Sequence, residues 1–483
     1  MANISFFNAL QYHILYNKGI NLYGGTAMKT IHIEFSDERL ITPSGLVFVG
    51  QILGKSNFVK KINRAPISNE YLQKQIKNGD ILLTYIGMLC QGKPQYEAVR
   101  EMMDDPGYYK YALGIAHAIP SAETLRQRFD MIGDSLRGDI LQANIDMLRE
   151  MKIEPAALEN GYVPVDIDVT PFDNSKTKKE GVSRTYKGFD GYAPIMAYIG
   201  TEGYFVNTQL RVGKQHCQKE TPDFLRETIE LCRQLTDKPL LIRLDSGNDA
   251  SENIGIFMEE SYRYNNVSFI IKRNPRQESK EEWLASVKDC CTNIQKPRDG
   301  KTVYIGQTFR DVTYTLPNKT EKTAGIRTIY EITERTIDKH GQYFIVPDIE
   351  LDTYWTNLPL SDQNIIDLYH AHGESEQYHS EIKTDMDVER LPSGKFDSNK
   401  LVLELTIIAY NILRIVGQES LKKRDDPGRK KVRRRRIRTI ISNLMQFAGH
   451  LTEHAGRLVL SIGRSNRWRF TFKRIYDSFA SVS

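Results

Sequence analysis

The chain has 483 residues, of which 40% are hydrophobic and 26% are charged, and it carries a net charge of +5. This composition is typical of a soluble globular protein with two or three domains, and it argues against a membrane-spanning chain because no apolar run reaches the ~18 residues that a bilayer requires. The N-terminal residues lack a signal-peptide pattern and the five cysteines form no CxxC pair, so we expect a cytoplasmic protein.

Residues 1–160 are predicted to be mainly helical. The exception is a strand expected over Met28–Phe35, where apolar and polar residues alternate. The clearest helix begins after Ser121, a residue type that favours the N-cap position, and runs toward Met147. A helical region of this size could bind DNA or act as a scaffold.

From Tyr162 onward the pattern changes to strands and helices in the order β-β-β-α-β-α-β. Continuous apolar strands that alternate with helices predict a mixed sheet covered on both faces. In chain order, the predicted strands and helices cover residues 163–169, 192–198, 204–210, 221–235, 239–244, 251–264 and 267–271.

Residues 275–357 interrupt this order with four short strand candidates. A helical pattern resumes after Ser361, a plausible N-cap. The sequence therefore predicts an α/β domain, residues 161–274 and 358–420, that is interrupted by an all-β insertion, residues 275–357. Within the domain, the stretch Leu401–Val416 is apolar but contains three polar residues, which indicates a core helix.

The C-terminal region, residues 421–483, is predicted to be basic and helical. Residues 422–483 carry a net charge of +13, which leaves −8 for residues 1–421. Concentrated positive charge predicts contact with a polyanion, with a solvated tail as the alternative. The densest part of this run is formed by Arg433, Arg434, Arg435 and Arg436.

The segment 368–383 has an unusual helix face. Tyr369, His372, Glu376 and Lys383 stand at i, i+3, i+7 and i+14, so they project from one side of a helix. A surface helix usually turns an apolar stripe toward the core, whereas this face carries an acid, two basic groups and a phenol. Glu376 by itself would be read as a solvated residue.

Two more acids stand at strand ends, where α/β sheets bind their ligands. Asp168 lies near the end of the first predicted strand, and Asp245 ends a central apolar strand. Asp166 shares a strand face with Asp168, but Asp168 is nearer the strand end and precedes Thr170 by two residues. Each acid alone could cap a turn. Together with Glu376 they form an oxygen-only set that suits Mg²⁺ or Mn²⁺.

The strand order with acids on the first strand, the fourth strand and a late helix is the ribonuclease-H-like arrangement. The chain resembles the DDE transposases of bacterial insertion sequences, in particular the subgroup with a Tyr-x2-Arg-x3-Glu-x6-Lys helix and a β-rich insertion. Tyr369, Glu376 and Lys383 match that spacing, Asp245 lies in a matching Leu-Asp-Ser-Gly-Asn stretch, and Asp168 begins an Asp-x-Thr pattern. The resemblance covers roughly residues 120–420.

The resemblance implies that Asp168, Asp245 and Glu376 bind two Mg²⁺ or Mn²⁺ ions. It also implies endonuclease cleavage of DNA at terminal inverted repeats, strand transfer into target DNA and a homodimer in the synaptic complex. Residues 1–160 would then bind DNA, helped by the basic C-terminal region. Two other readings remain open: a ribonuclease-H-like nuclease without strand transfer, and a non-catalytic DNA-binding protein derived from a transposase.

His372 departs from the subgroup, which has Arg at this position. Arg is permanently charged and binds phosphate in a bidentate manner, whereas His is only partly protonated near neutral pH. We therefore expect weaker or pH-dependent phosphate binding, unless a neighbour such as Lys272 or Arg273 supplies the charge. The expected DNA and phosphate contacts are Tyr369, His372, Lys383, Lys272, Arg273, Arg184, Lys187 and Arg433 to Arg436.

Overall fold

The computed structural model describes residues 31–67, 76–316, 319–423, 425–428 and 431–481. The chain divides into two compact units, residues 1–39 and 40–483. Residues 31–38 have no regular secondary structure, so the strand expected over Met28–Phe35 is wrong for its described part, while residues 28–30 lie outside it. The side chains of Ile31, Ile33 and Phe35 are exposed, and alternation alone does not form a strand without a pairing partner.

The first part of the second unit is helical. Ser121 caps its helix as predicted, because its Oγ accepts a hydrogen bond from the backbone N–H of Thr124 at 3.1 Å. These helices pack through apolar faces into one core with the α/β region that follows. After the short strand β1 (Arg39–Ile41), the helices are α1 (Leu46–Lys55), α2 (Phe58–Arg64), α3 (Asn78–Leu89), α4 (Pro106–Leu113), α5 (Ala122–Ile132) and α6 (Arg137–Glu150).

The next segment supplies most of a large mixed sheet. Its strands are β2 (Val163–Val169), β3 (Phe172–Asp173), β4 (Ser183–Arg184), β5 (Asp190–Tyr192), β6 (Ile195–Ile199), β7 (Tyr204–Gln209), β8 (Leu240–Leu244) and β9 (Val267–Arg273). Helix α7 (Thr221–Arg233) precedes β8, and α8 (Ser251–Tyr264) precedes β9. Strand β2 is antiparallel to β6 and parallel to β8, and β8 is parallel to β9. Strands β3, β5 and β4 form a separate small sheet.

The insertion extends the main sheet. Its elements are α9 (Lys280–Lys288), β10 (Asn293–Arg298), β11 (Lys301–Thr315), β12 (Glu321–Ile337) and β13 (Tyr343–Thr356). Strand β13 is antiparallel to β9, which gives the nine-stranded order β10-β11-β12-β13-β9-β8-β2-β6-β7. The expectation of an all-β insertion is therefore wrong because of α9, which Ser279 caps by accepting a hydrogen bond from the N–H of Glu282 at 3.2 Å.

A long helical segment follows and is called the signature helix below. It consists of α10 (Asp362–His370), a 3₁₀ turn (Ala371–Glu374), α11 (Ser375–Ser380) and a π turn (Glu381–Asp385). The core helix α12 (Phe396–Leu421) comes next and includes the predicted helix at residues 401–416. It is long and apolar enough to cross a membrane, but 94% of its most apolar window is buried inside the fold, as in the core helix of a folded domain.

The C-terminal region contains α13 (Ile437–Ile440), β14 (Gly449–His454), β15 (Arg457–Ile462) and α14 (Arg469–Ser481). The expectation of an entirely helical region is thus wrong, since β14 and β15 pair as an antiparallel hairpin. Its two-residue turn, Ala455-Gly456, has positive φ at both positions, 49° and 72°. Such a turn matches the twist of paired strands, but Ala at its first position hides it from sequence reading.

Glu404 provides a test of core electrostatics. It is buried in α12, and burial raises its pKa well above the usual range, with the charge of Asp134 adding to the effect. The stability that a raised carboxyl pKa contributes is complete below the unfolded pKa of ~4.3 and is lost as the pH rises through the folded pKa. We expect Glu404→Gln, relative to the wild type, to gain of order 1 kcal/mol in unfolding free energy as the pH rises across that window.

Urea unfolding at a series of pH values measures this difference. Glu150→Gln, at the exposed end of α6, is the matched control and should follow the wild type. Identical pH dependence of the Glu404 and Glu150 variants would contradict the prediction.

Candidate active site

The register of two neighbouring strands brings Asp168 and Asp245 together. In the parallel pair β2 and β8, Ile167 lies opposite Leu244, and each of these residues is followed directly by one of the two aspartates. Both carboxylates therefore stand at the carboxyl end of the sheet, the usual ligand-binding edge of an open α/β sheet. Burial raises the pKa of Asp245 and the negative charge of Asp168 adds to this rise, so the two side chains repel each other electrostatically.

The two carboxylates have different surroundings. Oδ1 of Asp168 accepts a hydrogen bond from the N–H of Val169 at 2.7 Å. Burial tends to raise the pKa of Asp168, but the neighbouring His379 and His372 and the N–H of Val169 together outweigh burial, so this pKa lies below its usual value. The amide of Asn248 donates to Oδ1 of Asp245 at 2.7 Å. A cation bound between the aspartates would relieve the repulsion that raises the pKa of Asp245.

Asp166 does not face this edge. Its oxygens accept hydrogen bonds from Nε and Nη2 of Arg243 at 2.6 and 2.8 Å, and Nδ1 of His372 lies 2.8 Å from its Oδ1. Asp166 is only 2% exposed. Both carboxylate oxygens of Asp166 thus have partners inside the protein. This favours Asp168 over Asp166 as the carboxylate of β2 that a ligand could reach.

Glu376 lies on the signature helix with an exposed side chain. One turn earlier His372 contacts Asp166, and three residues later Nε2 of His379 lies 3.4 Å from Oδ2 of Asp168. Residues at these offsets share a helix face, so Glu376 belongs to the face that packs against β2. Among the described residues no three His, Cys, Asp or Glu side chains form a ready-made metal cage. Asp168, Asp245 and Glu376 offer only carboxylate oxygens, the donor type that Mg²⁺ and Mn²⁺ prefer.

Tyr369 lies near the aspartates, and Lys383 has two partners inside the protein. The Tyr369 ring packs against Tyr354 with centroids 4.9 Å apart, and burial followed by the charges of Asp245 and Asp168 raises its pKa, which places the phenol close to both. Nζ of Lys383 donates to the carbonyl oxygen of Pro171 at 2.9 Å and pairs with Glu389 at 2.8 Å.

His372 is buried, 7% exposed, and directed at Asp166. Its Nδ1 contacts a carboxylate inside the protein, and the phosphate contact expected for His372 stays a prediction. A sequence pattern shows which face of a helix a residue occupies, but it does not show which strand residue lies opposite.

Lys272 and Arg273 also have protein partners. Lys272 pairs with Asp352 at 2.7 Å. Arg273 is 8% exposed, pairs with Glu278 and lies 5.3 Å from the ring centre of Trp355. The folded insertion therefore covers Arg273, and the DNA contact expected for Lys272 and Arg273 stays a prediction.

Arg184 and Lys187 remain open to solvent beside the aspartates. Arg184 is 70% exposed and lies 3.9 Å from Asp190. Between them in sequence, the hydroxyl of Tyr186 donates to the carbonyl oxygen of Val169 at 3.2 Å. Burial and the charges of Asp168 and Asp245 raise the pKa of Tyr186. This loop therefore lies next to the carboxylate pair.

The basic run mostly contacts the signature helix, on the face opposite Glu376. Arg433 is 69% exposed and 3.9 Å from Glu374, Arg434 lies 3.4 Å from Glu381, and Arg436 pairs with Asp385 at 2.8 Å. Arg435 is 4% exposed and pairs with Asp426. Acids distant in sequence thus neutralise Arg434 and Arg435, and the DNA contact expected for Arg433 to Arg436 stays a prediction.

Sequence reasoning missed His379, Tyr186 and Cys217. His379 is buried, and its Nδ1 lies 3.3 Å from the hydroxyl of Tyr198. Its place seven residues after His372 was a usable signal, because that spacing returns to the same helix face. Cys217 donates to the carbonyl oxygen of Gly247 at 2.7 Å, beside Asp245, and nothing in the local sequence indicates this contact.

The chain is similar to one known protein family over nearly its whole length. The profile of the family described as "Transposase DDE domain group 1" matches residues 25–483. A cryo-EM structure of a piggyBac transposase synaptic complex with hairpin DNA is 11% identical, with a TM-score of 0.38 over 90% of this chain and 84% of that chain, a similarity too low to establish a shared fold. No curated protein matches the chain. Because the family profile covers nearly the whole sequence, the chain belongs to the DDE transposase domain group 1 family.

Proposed function

We propose that the protein is an insertion-sequence transposase that cuts DNA at the ends of its element and joins those ends to target DNA. The observation that carries this proposal is the pairing of Asp168 and Asp245 at the carboxyl ends of β2 and β8, with Glu376 on the helix packed against β2. The order β9-β8-β2-β6-β7 supports a ribonuclease-H-like catalytic domain. In that fold three antiparallel strands, here β2, β6 and β7, form a meander, and two strands parallel to the first, here β8 and β9, extend the sheet on its other side.

Asp168, Asp245 and Glu376 would hold two Mg²⁺ or Mn²⁺ ions, whose charge assists the attacking oxygen and the leaving oxygen of a phosphodiester. The chain itself positions the DNA. Exposed Arg184 and Lys187 would bind backbone phosphates at the mouth of the site, and Tyr369 would limit the space above the aspartates. Like-charge repulsion between the aspartates favours cation binding there over an empty pair.

The direct test uses the purified full-length chain and linear DNA that carries both ends of the genomic segment encoding it. Cleavage at the ends is expected with Mg²⁺ or Mn²⁺ and should be absent with EDTA. Ends already cut to a 3′-hydroxyl, incubated with a supercoiled plasmid, should give joined products. Cleavage without joining would instead identify a nuclease, and DNA binding without cleavage under either metal would identify a non-catalytic DNA-binding protein.

We also expect the protein to form a homodimer on DNA and to lie in the cytoplasm. Two element ends must be held together for joining, so we expect a homodimer on DNA, which sedimentation of the protein with and without end DNA measures. A cytoplasmic location follows if the protein acts on the bacterial chromosome, and fractionation of cells that express it would test this.

Removing the two exposed charges beside the site should weaken DNA binding. For Arg184→Ala/Lys187→Ala we expect the slope of log K against log salt to fall by about 2, since each phosphate contact contributes about 0.9. Binding titrations at several salt concentrations measure the slope. The control is Lys238→Ala/Arg263→Ala, two exposed charges at the opposite, amino-terminal end of β8 and β9. Equal slopes for both double variants would place the DNA elsewhere.

A further inference from the structure

A buried cluster of three residues lies beneath the carboxylates and is called the buried triad below. It consists of Asp166, Arg243 and His372, which are 2%, 2% and 7% exposed. Asp166 is at the centre: Arg243 donates to both of its oxygens, and His372 contacts Oδ1. An ionised carboxylate only accepts hydrogen bonds, so Nδ1 of His372 must carry the proton in this contact.

Each member of the buried triad belongs to a different acid-bearing element. Asp166 precedes Asp168 by two residues on β2, and Arg243 likewise precedes Asp245 on β8. Side chains two apart on a strand share a face. His372 precedes Glu376 by four residues on the signature helix, which again gives a shared face. The triad therefore repeats the arrangement of the three acids one layer deeper.

Arg243 of the triad also contacts the backbone of the signature helix. Nη1 of Arg243 donates to the carbonyl oxygen of Leu368 at 2.8 Å, one turn before His372. Strands β2 and β8 are already aligned by sheet hydrogen bonds, with Asp166 opposite Arg243. The signature helix has no ladder to align it, and the contacts of His372 and Leu368 hold its turn before Glu376 against both aspartate-bearing strands.

A buried ionic cluster is a poor source of stability, because the desolvation of its charges offsets their attraction. Groups that orient metal ligands from behind, in contrast, typically change metal affinity or activity by 10–100-fold when they are removed. The location of the triad thus fits a role in geometry better than a role in net stability.

We propose that Asp166, Arg243 and His372 are positioning residues that fix where Glu376 lies relative to Asp168 and Asp245. They would thereby determine the affinity of the site for its divalent cations. This rests on the proposed function for its biological meaning, but the alignment itself concerns only cation binding. None of the three touches the reacting atoms.

The role also accounts for a histidine at position 372. Arg243 already supplies a permanent positive charge to Asp166, and a second guanidinium at position 372 would place two like charges in the same buried space. We therefore expect His372→Arg to lower cation affinity, although Arg is the residue of the transposase subgroup that the sequence resembles.

The test compares His372→Leu with His372→Asn. Asn can place a side-chain N–H near the position of Nδ1, whereas Leu has similar bulk and no donor. Mn²⁺ binding to the full-length protein, measured by electron paramagnetic resonance, should weaken by about 10–100-fold in the Leu variant and recover to within about threefold of the wild type in the Asn variant. Binding of end DNA in EDTA should be the same in all three proteins.

A merely structural role predicts a different result, namely a smaller folded fraction with unchanged Mn²⁺ affinity per folded molecule. Wild-type affinity in His372→Leu would overturn the proposal even if the protein cleaves DNA. Conversely, the protein could cleave no DNA and still bind Mn²⁺ more weakly in the Leu variant than in the wild type. That result would support the positioning role of the triad and contradict the transposase activity. Should the Leu variant not fold, Arg243→Lys, which cannot reach Asp166 and the Leu368 carbonyl together, is measured in the same way and must weaken Mn²⁺ binding.

Discussion

Asp245→Asn is expected to abolish DNA cleavage, with a rate at least about 10³-fold below the wild type, because a lost metal ligand removes several kcal/mol of charge stabilisation in the transition state. Asp168→Asn and Glu376→Gln should have the same effect. The affinity for end DNA in EDTA should stay within about threefold, since phosphate contacts by other residues supply most of it. Gel-based cleavage and binding assays on one DNA substrate measure both quantities.

The matched control for the helix position is Glu374→Gln. Glu374 is also exposed, but it lies on the opposite helix face beside Arg433, so cleavage should persist. Retention of cleavage in both Asp245→Asn and Glu376→Gln would show that the carboxylates have been wrongly assigned.

The same aspartates should affect stability in opposite directions when no metal is present. The folded pKa of Asp245 is raised by burial and by Asp168, so its contribution is lost as the pH rises above the unfolded value of ~3.9, and Asp245→Asn should unfold at a higher temperature than the wild type at neutral pH. The pKa of Asp168 is lowered despite burial, through His379. Its contribution is present above ~3.9 and lost as the pH falls, so Asp168→Asn should unfold at a lower temperature.

Glu381→Gln is expected to destabilise the fold by about 3–5 kcal/mol, the usual consequence of breaking a buried ion pair from one side. Glu381 and Arg414 are both fully buried and form an ion pair. The hydroxyl of Tyr410 and the backbone N–H of Ile437 also donate to Glu381, at 3.1 and 3.3 Å. Loss of the carboxylate leaves the Arg414 guanidinium without its counter-charge in the core.

Urea unfolding at neutral pH measures the loss. The double variant Glu381→Leu/Arg414→Met should be more stable than Glu381→Gln, because apolar residues of similar volume replace both charges at once. Arg433→Gln removes an exposed charge 3.9 Å from Glu374 and should change stability by less than about 1 kcal/mol. A loss below about 1 kcal/mol for Glu381→Gln would mean that solvent reaches the pair.

These contacts assign a structural role to much of the basic C-terminal run. One face of the signature helix meets β2 and β8 through the buried triad, and the opposite face is held by Arg434, Arg436 and Arg414. Glu376 is thus carried by a helix that is bound on both sides. Of the four consecutive arginines, Arg433 keeps the largest exposure for a contact with DNA.

Several features could be predicted from the sequence because they depend on neighbours along the chain. Strand and helix periodicity located β2, β8 and the signature helix, and Ser361 caps that helix through a hydrogen bond from the N–H of Asn364 at 3.4 Å. The end of each apolar strand placed Asp168 and Asp245 at one edge of a sheet, since parallel neighbours share that edge. The polar face of segment 368–383 singled out Glu376.

Only the tertiary structure decided which charges are neutralised and which remain free. Asp166 and Asp168 share one face of β2, yet Arg243 and His372 enclose Asp166 and leave Asp168 at the sheet edge. Arg434 and Arg435 look like a polyanion-binding surface, yet Glu381 and Asp426 neutralise them. Periodicity reports the direction of a side chain from its own element, whereas the partner of a charge comes from a distant part of the chain, and burial beside that partner determines whether the charge can meet a ligand.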